Sequence, residues 1–257
     1  MKIATFNANS VRTRLPIIID WLCEHEPDVF AIQETKVDDS KFPQADFEDV
    51  GYHVVFNGQK GTNGVAIATR TPLRNIQKGL GDPLFPEDAR LISGELDGIT
   101  IINTYVPNGS SVTSPNFEYK LRWLERFNRM LNERFKTTDG VIWLGDINIA
   151  PKPEDVYNSR RFFGGVGHHP LEFQALDAIT GWGLTDLFRK FTKGPGHYTY
   201  WDYVIVTSVE KNFGWRIDHL YATEALTQKC LTCRVDKEPR LMEKPSDHTP
   251  VYAEFDI

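Results

Sequence analysis

Short apolar runs, separated by turn-forming residues, recur along the whole chain. Runs that alternate with polar residues, or that end in Gly, Pro, Asn or Asp, are typical of β-strands. Helical periodicity is clear in only a few places. The pattern predicts strands at residues 2–9, 28–33, 52–56, 64–70, 91–96, 99–103, 141–144, 198–203, 215–221 and 251–257.

Three stretches carry the signals of helices. Thr13 is placed to cap a helix, and Ser114, which precedes a proline, is a strong helix start. Residues 171–180 predict a third helix. Strands run from end to end without a linker, a short-period repeat or a low-complexity segment. We therefore expect residues 1–257 to form one β-rich α/β domain.

Composition changes this picture little. Hydrophobic residues make up 40% and charged residues 25% of the 257 residues, as in an ordinary globular protein. The formal charge of −6 gives no overall attraction for nucleic acid, although a local basic rim would be enough. No apolar run reaches membrane-spanning length, no signal sequence precedes the first strand, and three cysteines are an odd count for a disulfide framework. A cytoplasmic protein is expected.

The segment 144–151 is the first candidate for chemistry. It follows the apolar run 141–144, and Asp146 and Asn148 are two residues apart, so they point to the same side of an extended chain. Side by side, a carboxylate and an amide can hold a water molecule, because the carboxylate accepts its proton while the amide orients it. The alternative is an Asx turn that caps the strand, which an isolated Asp-x-Asn favours.

Further polar residues stand at the ends of other apolar runs. If those strand ends meet at one edge, they form a pocket with four carboxylates and one imidazole. Buried anions repel one another unless a cation neutralises them, and oxygen and amide donors favour Mg²⁺ or Mn²⁺ over zinc. The pattern indicates metal-assisted hydrolysis of a phosphoester by water. The residues concerned are Asn7, Glu34, Tyr105, Asp146, Asn148, Asp218, Asp247 and His248.

Other features point away from covalent or redox chemistry. The sequence has no G-x-S-x-G elbow and no cysteine placed by a base. Cys230 and Cys233 have no second Cys or His pair, so inert packing is favoured over a zinc or redox site. The long connection 152–170 is predicted to be a functional loop.

Six motifs spread over essentially the whole chain occur together in one known family. They lie at residues 6–12, 33–36, 103–109, 145–151, 215–218 and 244–248. On these motifs the sequence closely resembles the exonuclease III family of abasic-site (AP) endonucleases, within the endonuclease/exonuclease/phosphatase superfamily. The resemblance implies a four-layer α/β sandwich: two mainly antiparallel sheets packed face to face and flanked by helices, with the active site at one end of the sheets.

The resemblance also implies a metal site and a site for the attacking water. Glu34 would bind the divalent metal, with Asn7 close by and Asp247 near a second or alternative metal position. Asp146 would orient or deprotonate the water with the help of Asn148, and both would belong to the metal site as well.

Contacts to the substrate follow from the same resemblance. Tyr105 and His248 would contact the scissile phosphate, with His248 paired to Asp218. A flipped-out sugar without a base would fit a small apolar pocket in which a normal nucleotide clashes. The residues that match this pocket are Tyr200, Trp215 and Ile217.

The implied substrate is double-stranded DNA with abasic sites or blocked 3′ ends, and the implied protein is a monomer. The expected reaction is incision of the backbone 5′ to an abasic site, with 3′-end processing and 3′→5′ exonuclease activity beside it. DNA contacts are expected from residues in or beside the loops that bear the motifs. They are Arg12, Lys36, Lys60, Asn108, Lys120, Arg160, Arg161, Lys211 and Lys244.

Two stretches depart from the family pattern. The loop after Pro107 lacks the basic residue that some members carry, so its contact with the duplex is expected to differ. His168 and His169 stand where many members are expected to have a smaller or apolar residue. One interpretation is an imidazole that narrows the cleft and favours frayed 3′ ends. The other is a surface histidine.

Three alternatives remain open at this point. The enzyme could act mainly on 3′ ends with weak AP incision, or be a non-DNA phosphodiesterase of the same superfamily. The motif at 33–36 together with that at 215–218 disfavours the second. A non-catalytic DNA-binding module is disfavoured because Glu34, Asp146 and His248 are all present.

Overall fold

Two six-stranded sheets form the centre of the molecule in a computed structural model, which describes residues 1–82 and 88–257. The first sheet has the strand order β11-β12-β1-β2-β4-β3 and the second β5-β6-β7-β8-β10-β9. The strands are β1 (Lys2–Asn7), β2 (Val29–Gln33), β3 (His53–Asn57), β4 (Val65–Thr69), β5 (Arg74–Lys78), β6 (Leu91–Leu96), β7 (Ile99–Tyr105), β8 (Gly140–Asp146), β9 (Leu184–Asp186), β10 (Asp218–Thr223), β11 (Cys230–Val235) and β12 (Val251–Phe255).

Helices cover the outer faces of both sheets. Trp21 and Phe47 join the apolar cluster outside the first sheet, and Phe127 and Ile179 join the cluster outside the second. A third cluster lies between the sheets, so the predicted four-layer α/β sandwich is confirmed. The helices are α1 (Val11–His25), α2 (Gln44–Asp49), α3 (Pro115–Arg134), α4 (Ser159–Phe162), α5 (Pro170–Thr180), α6 (Leu187–Phe191), α7 (Glu224–Lys229) and α8 (Glu238–Leu241), with 3-10 turns at Asp39–Lys41 and Pro153–Asp155.

Each sheet contains one parallel pair, made by a β-α-β unit, and its other pairs are antiparallel. The units are β1-α1-β2 and β7-α3-β8. Parallel strands end at the same edge of a sheet. Asn7 therefore emerges opposite Gln33, next to Glu34, and Tyr105 emerges opposite Asp146. This topology brings the predicted polar strand ends together in pairs.

Two buried amides connect the sheets beneath those strand ends. Gln33 Nε2 donates to Thr5 Oγ1 at 2.8 Å and to Asn103 Oδ1 at 2.6 Å. Asn103 Nδ2, from the second sheet, donates to the carbonyls of Ile32 and Ala66 in the first at 3.0 and 2.8 Å. Apolar packing alone would tolerate a small slide between the sheets. These directional bonds fix their offset.

Helix starts were only partly predictable. The Ser114 side chain accepts a hydrogen bond from Asn116 N at 3.1 Å, which confirms the predicted start of α3. The predicted cap at Thr13 is wrong, because α1 already begins at Val11. The N–H groups of Ser10 and Val11 are bonded by backbone carbonyls that follow β2, at 2.8 and 3.2 Å. A tertiary contact replaces the side-chain cap there.

The predicted strands differ from the structure in several places, and the short β9 was not predicted. Residues 198–203 do not form a strand, and Tyr200 makes only isolated bridges to Trp215 and His248. The strand predicted at 215–221 begins only at Asp218. The strand Arg74–Lys78 was missed because all of it is exposed at a sheet edge, without an apolar face. Among the described helices, none combines the length and apolarity that a membrane crossing needs.

Candidate active site

One amide bridges carboxylates from both sheets. Asn7 Nδ2, at the end of β1, donates to Asp146 Oδ2 at 2.8 Å and to Glu34 Oε1 at 3.0 Å. Lys36 Nζ lies 2.7 Å from the other Glu34 oxygen and 2.5 Å from Asn9 Oδ1. Asn9 Nδ2 in turn donates to Asp247 Oδ1 at 2.9 Å. The predicted residues of the first sheet thus form one connected polar network.

The segment after β8 is held in an unusual conformation. Gly145 has φ of 133°, and a Cβ there would lie 2.0 Å from Thr104 O, so only glycine fits. Asn148 has φ of 54°, and its N–H donates to Asp146 Oδ1 at 2.9 Å. Its side chain donates to Val106 O at 2.9 Å. The Asx-type turn considered as an alternative is therefore present, and it leaves Asp146 Oδ2 facing the site.

His248 connects the two sheets on the other side of Asp146. Its Nδ1 lies 2.8 Å from Asp218 Oδ2, and its Nε2 lies 3.8 Å from Asp146 Oδ2. All three side chains are buried. Burial alone would lower the pKa of His248, but Asp218 and Asp146 raise it to about 10. Burial, with repulsion from Asp218, raises the pKa of Asp146 to about 7, although His248 opposes this.

Tyr105 completes the polar wall of the site. Burial, with the negative charge of Glu34 and Asp146, raises the pKa of its hydroxyl far above the ordinary value, so it stays protonated. Arg90 stacks over the ring, with the guanidinium carbon 5.0 Å from the ring centroid. The phenol is therefore a fixed donor beside the two carboxylates.

A divalent cation could be held where the two sheets meet. Glu34, Asp146 and His248 each offer a ligand atom, and these atoms lie within 4.8 Å of one another. Because His248 is protonated and donates to Asp218, the carboxylates of Glu34 and Asp146 are the better ligands, with the Asn7 amide between them. Such oxygen donors suit hard cations.

A cavity of about 390 Å³ opens in front of these groups. Its polar wall includes Asp146, His248 and Asp247, and Tyr200, Trp215 and Ile217 all line it, next to the polar groups. Gly167 contributes backbone only, and a Cβ there would lie 3.4 Å from the Trp215 ring. Five further apolar residues line the cavity and were not predicted from the sequence: Tyr157, Phe162, Val166, Ile205 and Phe213.

A second buried charged group, which we call the rear cluster, lies under the Trp215–Ile217 segment. Arg216 Nε donates to Asp155 Oδ1 and Arg216 Nη2 to Asp186 Oδ2, both at 2.8 Å. Arg189 Nε also donates to Asp155 Oδ1, at 3.1 Å. The rear cluster is defined as Asp155, Asp186, Arg189 and Arg216. It fixes the strand end that carries two of the pocket residues.

Both interpretations of His168 are wrong. The side chain is 1% exposed, so it is not a surface residue, and it does not line the cavity. Its Nδ1 lies 2.6 Å from Ala150 O and its Nε2 lies 2.7 Å from Ser159 Oγ. His169 caps α5 by accepting from Leu171 N at 3.1 Å. The glycine before the two histidines is what faces the cavity.

The prediction that Lys120 contacts DNA is also wrong. Its side chain is fully buried against Glu172, with Nζ 2.5 Å from Glu172 Oε1. Lys36 is half-buried and engaged by Glu34. The remaining residues predicted to contact DNA are exposed, and their role stays a prediction: Arg12, Lys60, Asn108, Arg160, Arg161, Lys211 and Lys244.

Comparison with known proteins places these features in context. The endonuclease/exonuclease/phosphatase family profile matches residues 4–248. Exodeoxyribonuclease III of Haemophilus influenzae is 33% identical, over 99% of this chain and 100% of that protein. The structure of an AP endonuclease from Archaeoglobus fulgidus is 43% identical with a TM-score of 0.97, and that of the 3′ phosphatase NExo from Neisseria, bound to a product DNA hairpin, is 36% identical with a TM-score of 0.94. Each covers both chains completely.

Proposed function

Because the chain belongs to the endonuclease/exonuclease/phosphatase family, we propose that it cuts the DNA backbone 5′ to abasic sites and processes 3′ ends at the same centre. Its relatives identify it as a hydrolytic nuclease of DNA repair. One observation carries the finer proposal: the carboxylate Asp146 and the imidazolium His248 face the same cavity as an apolar wall that includes Trp215 and Ile217.

The protein groups suit attack of water on phosphorus. Asp146 Oδ1 is held by Asn148 N–H and Oδ2 by Asn7, so the carboxylate is oriented. As the water oxygen bonds to phosphorus, its proton passes to Asp146, whose oriented carboxylate lines the cavity and acts as the general base. The P–O3′ bond breaks, and O3′ leaves as the end of the upstream strand and takes up a proton from solvent to become a 3′-hydroxyl.

Charge that develops on the phosphate oxygens meets donors already in place. The His248 imidazolium, kept protonated by Asp218, can donate from Nε2, and the Tyr105 hydroxyl is a second donor. A divalent cation at Glu34 and Asp146 would neutralise those carboxylates and stabilise the charge on the reacting oxygens. We propose Mg²⁺ or Mn²⁺, with Asp247 near a second or alternative position.

The apolar end of the cavity suits a sugar without a base. Trp215, Tyr200 and Ile217 offer flat apolar surface, and Gly167 leaves the space in front of the Trp215 ring open. A normal nucleotide brings a base that this wall cannot accommodate without displacement, whereas a bare deoxyribose fits. The proposed substrate is therefore a flipped-out abasic residue.

Exposed groups around the cavity suit duplex DNA. Val204 and Val206 are 85% and 95% exposed and flank Ile205, which lines the cavity. Apolar side chains at such a position can enter a groove and wedge a base step apart. Arg160 and Arg161 lie on α4 directly before Phe162, another lining residue. We propose that the protein binds DNA as a monomer through these residues.

A predominantly 3′-end activity is the second candidate. It is favoured by the likeness to a 3′ phosphatase, since a frayed terminus reaches the same cavity without flipping. Purified protein should be assayed on abasic, 3′-phosphate and blunt duplex oligonucleotides. AP incision that exceeds 3′-end processing supports the first proposal, and the reverse order supports the second.

EDTA should abolish all activity, and Mg²⁺ or Mn²⁺ should restore it. Full activity in EDTA would contradict the metal-dependent mechanism.

The pocket can be tested by filling it. Gly167→Val should place a side chain against Trp215 and reduce abasic incision more than removal of a 3′-phosphate. Gly164→Val is the matched control, because Gly164 has the same positive φ but no atom within 4 Å of an added Cβ. Equal losses in the two variants on both substrates would show that backbone strain, not the pocket, is responsible.

A further inference from the structure

Three successive carbonyls after Asp146 are each bonded by a buried side chain from a different part of the fold. Lys120 Nζ donates to Asn148 O at 2.7 Å, His219 Nε2 lies 2.8 Å from Ile149 O, and His168 Nδ1 lies 2.6 Å from Ala150 O. The three donor side chains are at most 1% exposed. We call this arrangement the carbonyl clamp. Backbone carbonyls in a loop are more often satisfied by backbone N–H groups or water.

The proton positions follow from the second nitrogen of each imidazole. His219 Nδ1 lies 2.9 Å from Arg216 Nη1, which can only donate, so Nε2 carries the proton and donates to Ile149 O. His168 Nε2 lies 2.7 Å from the Ser159 hydroxyl, which can supply its own proton, so Nδ1 donates to Ala150 O. Both histidines therefore donate to the segment.

Lys120 is the member nearest to the reacting groups. Its Nζ also donates to Asn108 O at 3.2 Å and pairs with Glu172, so it joins the two site loops to α5. A buried ion pair of this kind is weak evidence for stability, since an apolar pair of similar volume often serves as well. The contact with Asn148 offers a different reason for a charge here.

We propose that Lys120 is a positioning residue of the active site, with His219 and His168 in the same role at the next two carbonyls. Asn148 is left-handed, a conformation that asparagine tolerates better than most residues but that still costs free energy unless surrounding contacts hold it. Its N–H anchors Asp146 Oδ1, so any relaxation of Asn148 moves the carboxylate. The hydrogen bond from Lys120 to the Asn148 carbonyl opposes that relaxation. The inference rests on the proposed hydrolytic role of Asp146.

The decisive variants are Lys120→Met and the double variant Lys120→Met with Glu172→Gln. The first leaves a buried carboxylate unpaired, so its Tm should fall. The second removes both charges, and its glutamine can still accept from His169 N, as Glu172 Oε2 does at 3.1 Å, so Tm should recover. The single-turnover rate on an abasic duplex, with saturating enzyme and Mg²⁺, should be on the order of 10²-fold below the wild-type rate in both variants.

Duplex binding supplies the second readout. Lys120 is buried, so the Kd for DNA and its salt slope should match the wild type in both variants. Lys190→Met is the control, because Lys190 also donates to two carbonyls, those of Thr227 and Cys230, but outside the site. A rate that recovers together with Tm in the double variant would overturn the proposal. So would an equal loss of rate in Lys190→Met.

Two substitutions at His219 test a second member of the carbonyl clamp. His219→Leu removes the donor to Ile149 O, whereas His219→Gln can keep both hydrogen bonds, so the glutamine variant should retain more of the single-turnover rate. Equal rates at matched Tm would contradict the clamp. Failure of the proposed function is distinguishable, because the wild type itself would then not cut the abasic duplex.

Discussion

Asp146 and Asp155 are both buried aspartates, yet their surroundings shift their pKa values in opposite directions. Burial raises the pKa of Asp146 to about 7. Burial would raise the pKa of Asp155 as well, but Arg216 and then Arg189 lower it to about 2. Asp155 has two guanidinium partners at hydrogen-bond distance, whereas the cation nearest to Asp146, His248, is already bonded to Asp218.

The difference separates a completed charge cluster from an incomplete one. In the rear cluster two carboxylates face two arginines, so the protein itself balances the charge. At the active site, which we call the front cluster, the carboxylates of Glu34, Asp146, Asp218 and Asp247 have only the positive charges of His248 and Lys36 as partners in these contacts. A site that lacks positive charge is prepared to receive a cation and to hold or release a proton. The excess negative charge that would make the front cluster reactive is therefore the charge that the protein itself does not neutralise.

Asp146→Asn should break the front cluster without affecting the fold. Removal of the carboxylate should lower the single-turnover rate on an abasic duplex by roughly 10²–10⁴-fold, as expected for a general base. Loss of a buried, poorly paired charge should leave Tm unchanged or raise it, and DNA affinity should be kept. Wild-type cleavage by this variant would remove Asp146 from the mechanism.

Arg216→Met should show the opposite behaviour. It leaves Asp155 and Asp186 with too little positive charge, and breaking such a buried pair costs about 3–5 kcal/mol. The free energy of unfolding in urea would measure this directly. The neighbouring surface variant Lys211→Met serves as the control. A loss of less than about 1 kcal/mol would mean that the rear cluster does not stabilise the fold as we describe.

Coupling between Asp218 and His248 is the third comparison. Asp218→Ala and His248→Ala should each reduce the single-turnover rate. His248→Ala removes the imidazolium, and Asp218→Ala removes the carboxylate that keeps this imidazolium charged. The double variant should lose less than the sum, by about 0.5–3 kcal/mol of interaction free energy. Strict additivity would show that the two residues act separately.

The smallest effect is expected from His219, the neutral histidine at the edge of the rear cluster. Burial, with repulsion from Arg216, lowers its folded pKa to about 4, below the value of 6.5 for an exposed histidine. The unfolded chain therefore binds more protons between these values, so stability is full above pH 6.5 and is lost as pH falls toward 4. At about pH 5 the free energy of unfolding should be about 2 kcal/mol lower than at neutral pH because of this residue. His219→Gln should flatten this pH dependence of unfolding, and an unchanged curve would contradict it.

Sequence patterns predicted the site best where its residues follow strands. Asp146, Glu34 and His248 each stand at the boundary of an apolar run, and such boundaries are local features. The burial of Lys120 was not predictable in this way. Its position on the amphipathic α3 suggested a polar face, and its burial depends on distant partners, Glu172 on α5 and the carbonyls of Asn108 and Asn148. His168 was misjudged for the same reason, since its partners, Ala150 and Ser159, are set by loop geometry.

The pairing of β1 with both β2 and β12 has a consequence for the biosynthesis of the nuclease. Asn7 and Glu34 are translated early, but Asp247 and His248 arrive just before β12, which must insert between β11 and β1. Pairing between such distant segments closes late in folding. The centre is therefore completed only when the late segment that carries Asp247 and His248 has joined β1, the first strand of the domain.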